Sequence, residues 1–370
     1  YQVEGLEYTF EQGVLIPPGG YKLLVQSIPA FGAAHTNLTA VAGEYAGNLD
    51  DAGERLRLLR PASAGGAEVD AVAYEPLPPW PEEADGQGPS LQLVDGRRER
   101  RRVSNWDVGV GVLYTPGVSN SVARSLPEFP RVWINELQST NVTGIVDNMG
   151  QREPWMELYN EEVASRSLTN FYLTDDFGNL VKWRFPAASF APAQWFRLVW
   201  MDGQTAQTLF TNYHASFRLS TTNGSVAVVY SNAGDIVIVD YVRYPAIAVD
   251  KSYGSYPDGD PFERMLLKTP TPGGTNQATV AAHLVELLIP RYMQGELVGG
   301  ENLNRLPYAF RVQIGGLLPN AEYRYANRIV IPSDPETQDG AGNAVFVKTN
   351  GADFIRTTDS PRFREGDLDL

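Results

Sequence analysis

Apolar and polar residues alternate along this chain in short runs. Alternation with a period of two places successive side chains on opposite faces, which is typical of a half-buried β-strand. Clusters of Pro, Gly, Asp and Asn separate the runs and predict tight turns. We therefore expect antiparallel sheets built from short strands. The predicted strands are 6–10, 21–25, 54–59, 69–74, 132–137, 155–159, 171–173, 182–185, 195–200, 225–230 and 236–244.

The chain carries the same pattern twice. Four blocks of sequence recur in the same order: 8–18 with 183–192, 21–25 with 195–199, 69–74 with 239–244, and 115–120 with 271–276. Preserved order predicts a duplicated domain of roughly 100–150 residues. We expect residues 1–120 and 131–277 to adopt one fold, with Val69-Asp70-Ala-Val72 equivalent to Val239-Asp240-Tyr-Val242. A duplication without a duplicated reactive constellation favours a binding or scaffolding role.

Composition supports a folded β-protein and excludes several chemistries. The 370 residues are 43% hydrophobic and 20% charged, enough to bury sizeable cores in two or three domains. The chain has no cysteine, which excludes disulfides, thiolate metal sites and cysteine nucleophiles. A net charge of −14 argues against general binding to nucleic acid or to anionic membranes. No apolar run approaches the 18 residues that a membrane-spanning helix needs.

We divide the chain into four segments. The first copy is 1–123, a Pro-containing semi-rigid linker is 124–130, and the second copy is 131–278. We expect residues 279–370 to form a third β-rich region, in which the polar residues 356–370 are either a tail or the start of missing strands. Its strand patterns at 308–314 and 323–331 flank a turn at 316–320 that is similar to the tyrosine corner of fibronectin-type modules.

The second copy contains an ordered series of motifs: Ile134-Asn-Glu-Leu137, Trp155-Met-Glu-Leu-Tyr-Asn160, Leu173-Thr-Asp-Asp176, Lys182-Trp-Arg-Phe-Pro186, His214-Ala-Ser-Phe-Arg-Leu-Ser220, Ser252-Tyr-Gly-Ser-Tyr-Pro-Asp-Gly259 and Thr271-Pro-Gly273. This series resembles the bacterial lamin tail domain, an immunoglobulin-like β-sandwich. The resemblance implies an all-β fold class with two immunoglobulin-like sandwiches in tandem. It also implies a non-catalytic interaction module of the kind found in exported or surface bacterial proteins, often beside hydrolases.

The first copy resembles the family only from its fourth strand onward. Aligning Tyr8 with Trp183 puts Tyr1 opposite Asp176, so the counterparts of 134–137 and 155–159 are missing. Because the sequence opens inside a strand pattern, without Met or a signal peptide, we expect it to be a mature or excised part of a longer protein. We expect upstream residues or another chain to supply the missing strands. The alternative is that the open apolar face packs on the second copy or a neighbouring chain, a face that includes Leu56, Leu58, Val69 and Val72.

The residues capable of chemistry are sparse. The three histidines, at 35, 214 and 283, show no metal-ligand spacing, and we expect His214 to pack or to bond to backbone rather than to bind zinc. Glu153 and Glu157 flank Trp155 in a way that could suggest a glycosidase pair. However, Glu136 and Glu157 lie within the motifs of the resemblance, which favours structural hydrogen bonding. No phosphate loop, Ser-His-Asp series or nucleophile elbow occurs. We expect no enzyme activity, no cofactor, and no catalytic, cofactor-binding or metal residues.

Three loops leave alternatives open. Asp258 and Asp260, and separately Asp50, Asp51 and Glu54, surround a glycine and are typical of turns, with calcium binding as the alternative. The five arginines within 97–102 lie in an insertion of the first copy, which predicts a surface hairpin or loop. We expect these arginines to be exposed, and they either pair within the protein or bind a polyanion.

These observations predict a structural, adhesive or protein-interaction module of a secreted or cell-surface bacterial protein. The alternative is an accessory region of a larger extracellular hydrolase that binds polysaccharide, nucleic acid or cell wall. The sequence does not identify the partner or the oligomeric state.

Overall fold

A computed structural model describes residues 1–267 and 269–277 and, beyond them, the backbone of four further strands. The chain divides into two compact units, Tyr1–Gln277 and Ala278–Leu370. Both sequence copies belong to the first unit. Within the described residues no helix is long and apolar enough to cross a bilayer. The protein is all-β, as the alternation of the sequence predicts.

The first copy is built from eight strands and one short helix. They are β1 (Gln2–Glu4), β2 (Tyr8–Thr9), β3 (Leu23–Val25), α1 (Ile28–Ala34), β4 (Val41–Glu44), β5 (Glu54–Leu59), β6 (Glu68–Tyr74), β7 (Leu91–Leu93) and β8 (Trp106–Val108). Ser27 caps α1 by accepting the Ala30 N–H at 3.3 Å.

The second copy has twelve strands. They are β9 (Val132–Gln138), β10 (Trp155–Asn160), β11 (Arg166–Ser167), β12 (Phe171–Thr174), β13 (Trp183–Arg184), β14 (Phe190–Ala191), β15 (Trp195–Trp200), β16 (Tyr213–His214), β17 (Gly224–Asn232), β18 (Asp235–Tyr244), β19 (Ser252–Ser255) and β20 (Arg264–Leu267). The strand positions that the alternation predicts are confirmed for this copy.

The second unit is described only through the backbone of four strands. His283–Leu288 (β21) pairs with Arg311–Gly315 (β22), and Glu322–Arg324 (β23) pairs with Phe354–Arg356 (β24), both antiparallel. The turn at 316–320, on which the similarity to fibronectin-type modules depends, lies outside the described residues.

The two copies have corresponding strand orders. One four-stranded sheet has the order β2-β1-β5-β6, and its counterpart has the order β13-β12-β17-β18. The pairing of β5 with β6 shifts register between Leu58 and Leu59. The pairing of β17 with β18 shifts at the equivalent place, between Val228 and Val229. Leu58 therefore lies opposite Asp70 as Val228 lies opposite Asp240, which makes the two aspartates structurally equivalent.

The smaller sheets match as well. β3 pairs with β4 in parallel, as β15 pairs with β16, and β7 pairs with β8 antiparallel, as β19 pairs with β20. One detail of the sequence alignment is wrong. The gapless match placed Tyr1 opposite Asp176, whereas the strand register makes β1 the counterpart of β12 and Tyr1 the counterpart of Phe171. The connection between β12 and β13 is longer than the one between β1 and β2, which shifts the alignment upstream of Tyr8.

Four strands of the second copy have no counterpart among the described strands of the first: the short pair β11 and β14, and the longer strands β9 and β10. β9 and β10 occupy the middle of a six-stranded sheet of order β16-β15-β10-β9-β19-β20. In the first copy the flanking pairs β3–β4 and β7–β8 remain separate two-stranded sheets. The absence of counterparts of β9 and β10 is as the sequence predicts.

The core of the second copy lies between its two larger sheets. Side chains from β9, β10 and β15 meet side chains from β12, β17 and β18 in a single cluster. Burial of such side chains is worth roughly 1.5–3 kcal/mol each relative to exposure. The fully enclosed members include Ile134, Leu137, Met156, Leu158, Phe171, Leu173, Val199, Val226 and Val228.

The first copy completes part of its core with the second copy. Val72 and Tyr74 of β6 pack in the same cluster as Trp80 and two side chains on the outer face of β17, Ala227 and Val229. The prediction that the first copy packs apolar side chains on the second is confirmed for Val72. Leu56 and Leu58 are half-buried, and Val69 remains 49% exposed.

The insertion of the first copy has exposed turns, for example at 85–88, and also contributes side chains that pack on the second copy. Trp80 is 4% exposed and donates its indole N–H to the Tyr241 hydroxyl at 2.8 Å. Arg243 donates to Glu75 at 3.2 Å and to the Pro78 carbonyl at 2.7 Å. The insertion is therefore part of the interface between the copies.

The predicted semi-rigid linker buries Leu126, Phe129 and Pro130 and leaves Arg124, Ser125 and Glu128 exposed. Leu126 and Phe129 are 3% and 5% exposed and form a cluster with Val94 of the first copy and Val237 of β18. The Leu126 N–H donates to Asp95 Oδ2 at 3.0 Å. Residues 124–130 thus pack between the two copies and help to join them.

Candidate functional site

Two buried glutamates on β9 and β10 hold the turn that follows β20 in the second copy. Glu136 accepts the Thr271 N–H at 3.1 Å and the Thr271 hydroxyl at 3.0 Å. Glu157 accepts the Gly273 N–H through Oε2 and the Asn135 amide through Oε1, the latter at 3.2 Å. Both strands are therefore hydrogen bonded to the Thr271-Pro-Gly273 turn.

Burial raises the pKa of both glutamates, and it raises the pKa of Glu157 to about 8. Their oxygens accept hydrogen bonds from Thr271, Gly273 and Asn135. Glu153 accepts from Gln204 at 3.3 Å and pairs with Arg218 at 2.6 Å. The suggested pair of Glu153 and Glu157 therefore lacks the open space between two carboxyls that a glycosidase needs.

A third carboxylate joins the two sheets of the second copy. Asp240 on β18 is 6% exposed, and its Oδ2 accepts the Ile134 N–H of β9 at 2.7 Å. The same oxygen accepts from Arg264 at 2.5 Å. Asp240, Glu136 and Glu157 are thus among the polar groups that join β9 and β10 to the rest of the copy.

The first copy keeps the corresponding groups without the two strands. Thr115 donates its hydroxyl to Asn120 at 3.2 Å, as Thr271 does to Asn276 at 2.8 Å. Among the described residues no protein group accepts the N–H of Thr115 or Gly117. These two N–H groups correspond to those of Thr271 and Gly273, which glutamates accept in the second copy.

Asp70 and Asn120 show the same difference. The Asp70 side chain is 36% exposed, pairs with Arg100 at 3.0 Å and accepts the Ala71 N–H at 3.1 Å. Asn120 Nδ2 donates only to the Leu93 carbonyl, at 2.9 Å. Its counterpart Asn276 donates both to Ser255 on β19, at 2.8 Å, and to the Asn135 carbonyl on β9, at 3.0 Å. The groups that would contact β9 are therefore in place without it.

A groove of about 380 Å³ lies between β3 and the Thr115-Pro-Gly117 turn. Its lining includes Leu23, Leu24 and Val25 of β3, Phe31 of α1, and Pro116. Among the described strands β3 pairs only with β4, and β7 pairs only with β8. We call this region, bounded by β3, β7 and the 115–117 turn, the strand gap. It corresponds to the position of β9 and β10 in the second copy.

A second group of polar side chains lies at the far end of the second copy's six-stranded sheet. Asp147, Asp202 and His214 are all buried, and one potential ligand atom from each lies within 4.8 Å of the other two. The His214 Nδ1 is 2.7 Å from Asp202 Oδ2. The sequence prediction gave His214 only packing or backbone bonding and missed this cluster, because the three residues lie on separate elements.

The loops considered for calcium form turns. Asp258 Oδ1 accepts from Asn135 at 3.1 Å and from the Asn276 N–H at 3.0 Å, while Asp260 accepts the Phe262 N–H at 2.9 Å. In the other loop Asp50 accepts the Ala52 N–H at 2.8 Å, and Glu54 accepts the Asp50 N–H at 2.9 Å. Bonds of this kind are typical of Asx turns.

The five arginines pair within the protein, which is one of the two alternatives left open by the sequence. Arg97 and Arg101 are exposed as expected, Arg98 and Arg100 are half-buried, and the expectation of exposure is wrong for Arg102. Arg102 is 1% exposed. Its guanidinium donates to the Val239 and Pro130 carbonyls, pairs with Glu99 and lies 3.5 Å from the ring centroid of Trp133. The other four arginines contact acidic or carbonyl groups of the first copy: Arg97 with Asp95, Arg98 with Leu126, Arg100 with Asp70 and Arg101 with Glu68.

No protein-family model matches this sequence, and no curated protein matches it. The resemblance to the lamin tail domain therefore stays an expectation. Of the sites described above, only the strand gap combines free strand edges, free backbone donors and an apolar groove. It is the candidate functional site.

Proposed function

We propose that this chain is a non-catalytic interaction module that binds a partner by strand addition in the strand gap. The observation that carries the proposal is the contrast between two equivalent positions. In the second copy β9 and β10 fill the position, whereas in the first copy β3 and β7 present unpaired edges. Free strand edges are the usual site of β-augmentation, in which backbone hydrogen bonds give affinity and side-chain pockets give specificity.

The second copy also indicates the chemistry of the partner. The strand beside β3 needs apolar side chains at alternate positions to fill the groove next to Leu24 and Phe31. Two carboxylates are needed to accept the free N–H groups of Thr115 and Gly117. A pair of antiparallel strands with one glutamate on each meets both requirements. Such strands come either from the same polypeptide or from another chain.

Two further proposals rest on the resemblance stated from the sequence. We propose that residues 131–277 form an immunoglobulin-like sandwich of the lamin tail type, which the two-layer core of this copy supports. We also propose a location on the bacterial surface or outside the cell. The lack of cysteine is compatible with that location.

The test is binding of a synthetic peptide that carries residues 131–161, the segment that contains β9 and β10. We expect it to bind the full chain, measured by fluorescence anisotropy. A peptide with Glu136→Ala and Glu157→Ala should bind at least tenfold more weakly, because each charge-assisted hydrogen bond is worth roughly 1.5–3 kcal/mol. A peptide with Glu161→Ala is the matched control and should bind as well as the unmodified one.

A variant of the chain gives the complementary result. Leu24→Asp places a charge in the groove and should abolish peptide binding, whereas Leu266→Asp, at an exposed position of β20, should not. Equal affinity of the Glu136→Ala/Glu157→Ala and unmodified peptides would contradict the proposal. Binding that survives Leu24→Asp would also contradict it.

A further inference from the structure

Asp147, Asp202 and His214 come from three different elements of the second copy. Asp147 lies in the loop between β9 and β10, Asp202 follows β15, and His214 lies on β16. Asp147 and Asp202 are each 7% exposed, and His214 is fully enclosed. A buried cluster of two carboxylates and an imidazole is costly unless each polar group has a partner.

The hydrogen bonds around His214 place acceptors on both sides of its ring. The Asn148 side chain donates its Nδ2 to the Gln207 carbonyl at 3.0 Å, so its Oδ1 is the atom that faces His214 Nε2 at 2.8 Å. On the other side Nδ1 faces the Asp202 carboxylate at 2.7 Å. Oxygen atoms therefore face both ring nitrogens of His214.

Asp147 adds a carboxylate oxygen that has no partner. Its Oδ1 accepts the Met149 and Gln151 N–H groups, both at 2.8 Å. Its Oδ2 is buried and has no hydrogen-bond donor. Buried carboxylate oxygens in native proteins are nearly always satisfied, and an unsatisfied one calls for a specific explanation. A cation shared with Asp202 and His214 is such an explanation.

We propose that Asp147, Asp202 and His214 bind a zinc ion. Zinc accepts imidazole and carboxylate ligands together at about 2.0–2.2 Å, commonly with three protein ligands and one water. Calcium and magnesium prefer sites made only of oxygen, so the imidazole favours zinc. The ligand atoms already lie within 4.8 Å of one another. At a tetrahedral zinc two such ligands lie about 3.3–3.6 Å apart, so His214 Nδ1 and Asp202 Oδ2, now 2.7 Å apart, would separate slightly as the ion enters.

The position of the site indicates a structural role. The ion would fix the loop that carries Asp147 to the end of β15 and to β16, at the edge of the six-stranded sheet. The deep burial of all three side chains favours a structural ion over one that a substrate reaches. The zinc site does not depend on strand addition in the first copy, so either proposal can fail without the other.

The test is a zinc titration of the full chain after treatment with a chelator, followed by isothermal calorimetry. We expect one zinc ion per chain and a higher melting temperature with zinc than with calcium. His214→Gln and Asp147→Asn should each weaken zinc affinity at least 100-fold. Asp250→Asn is the matched control, because Asp250 accepts the Val142 and Thr143 N–H groups in the same loop but lies outside the cluster, and it should bind zinc normally.

Cobalt provides a readout that does not depend on the variants. One equivalent of Co²⁺ should give the intense visible bands of a four-coordinate site in the unmodified chain. No zinc binding by the unmodified chain, or unchanged binding by His214→Gln, would overturn the proposal. If the variants do not fold, the cobalt spectrum decides: weak six-coordinate bands or no bands contradict the zinc site.

Discussion

Replacing Arg102 with methionine is expected to lower the free energy of unfolding of the first unit by about 3–5 kcal/mol. The Arg102 guanidinium is buried between the copies, where it donates to the Val239 and Pro130 carbonyls and pairs with Glu99. Methionine fills a similar apolar volume but leaves these three acceptors without their donor. The loss of hydrogen bonds, rather than of volume, should therefore dominate.

Urea unfolding measures this effect, and Arg100→Met is the matched control. Arg100 pairs with Asp70, and both side chains are more than a third exposed. Exposed ion pairs contribute about 0–1 kcal/mol. Equal destabilisation by Arg102→Met and Arg100→Met would show that the copies are not joined through Arg102.

The second large effect is expected for Asp240→Asn, which should destabilise the first unit by about 3–5 kcal/mol. Asp240 is buried and its charge is balanced by Arg264, so the asparagine leaves a buried guanidinium without its counterion. The substitution can also replace the acceptor of the Ile134 N–H with an amide donor. The bond between the two sheets of the second copy is thereby weakened.

The duplication supplies the control, Asp70→Asn. Asp70 occupies the equivalent register position, but its side chain is 36% exposed and no strand equivalent to β9 contacts it. We expect a change of no more than about 1 kcal/mol, because the affected ion pair is at the surface. Equal destabilisation by Asp70→Asn and Asp240→Asn would contradict the claim that only Asp240 joins its sheet to a strand at the position of β9.

Most of the strands could be predicted because their signal is local. In β17 and β18 apolar side chains alternate across two sheet faces, and both faces are buried, one in the core of the second copy and one against the first copy. Short strands of two to four residues were missed because they give too little alternation; these are β4, β7, β8, β11, β14, β16, β19 and β20. Helix α1 had a local signal, Ser27 followed by Pro29, which is typical of a helix N-terminus.

The sites depend on contacts that the sequence does not encode locally. Arg102 lies in a run of charge that by itself suggests exposure, yet its partner Val239 is 137 positions away. His214 and Asp147 meet only because a long loop returns to the sheet edge at β16. The strand gap could be predicted, since it follows from comparing two copies of one sequence pattern.

The most direct test of an incomplete first copy is to supply the missing strands. Residues 131–170 are appended before Tyr1, which the shared register makes equivalent to Phe171. We then measure hydrogen exchange at the amides of Thr115 and Gly117. If the added strands fill the strand gap, these amides should exchange at least tenfold more slowly, and the melting temperature should rise by several degrees.

A control fusion with Leu137→Pro and Leu158→Pro in the added segment cannot pair and should leave both quantities unchanged. Unchanged exchange with the intact segment would contradict the account and would mean that the first copy is complete without β9 and β10.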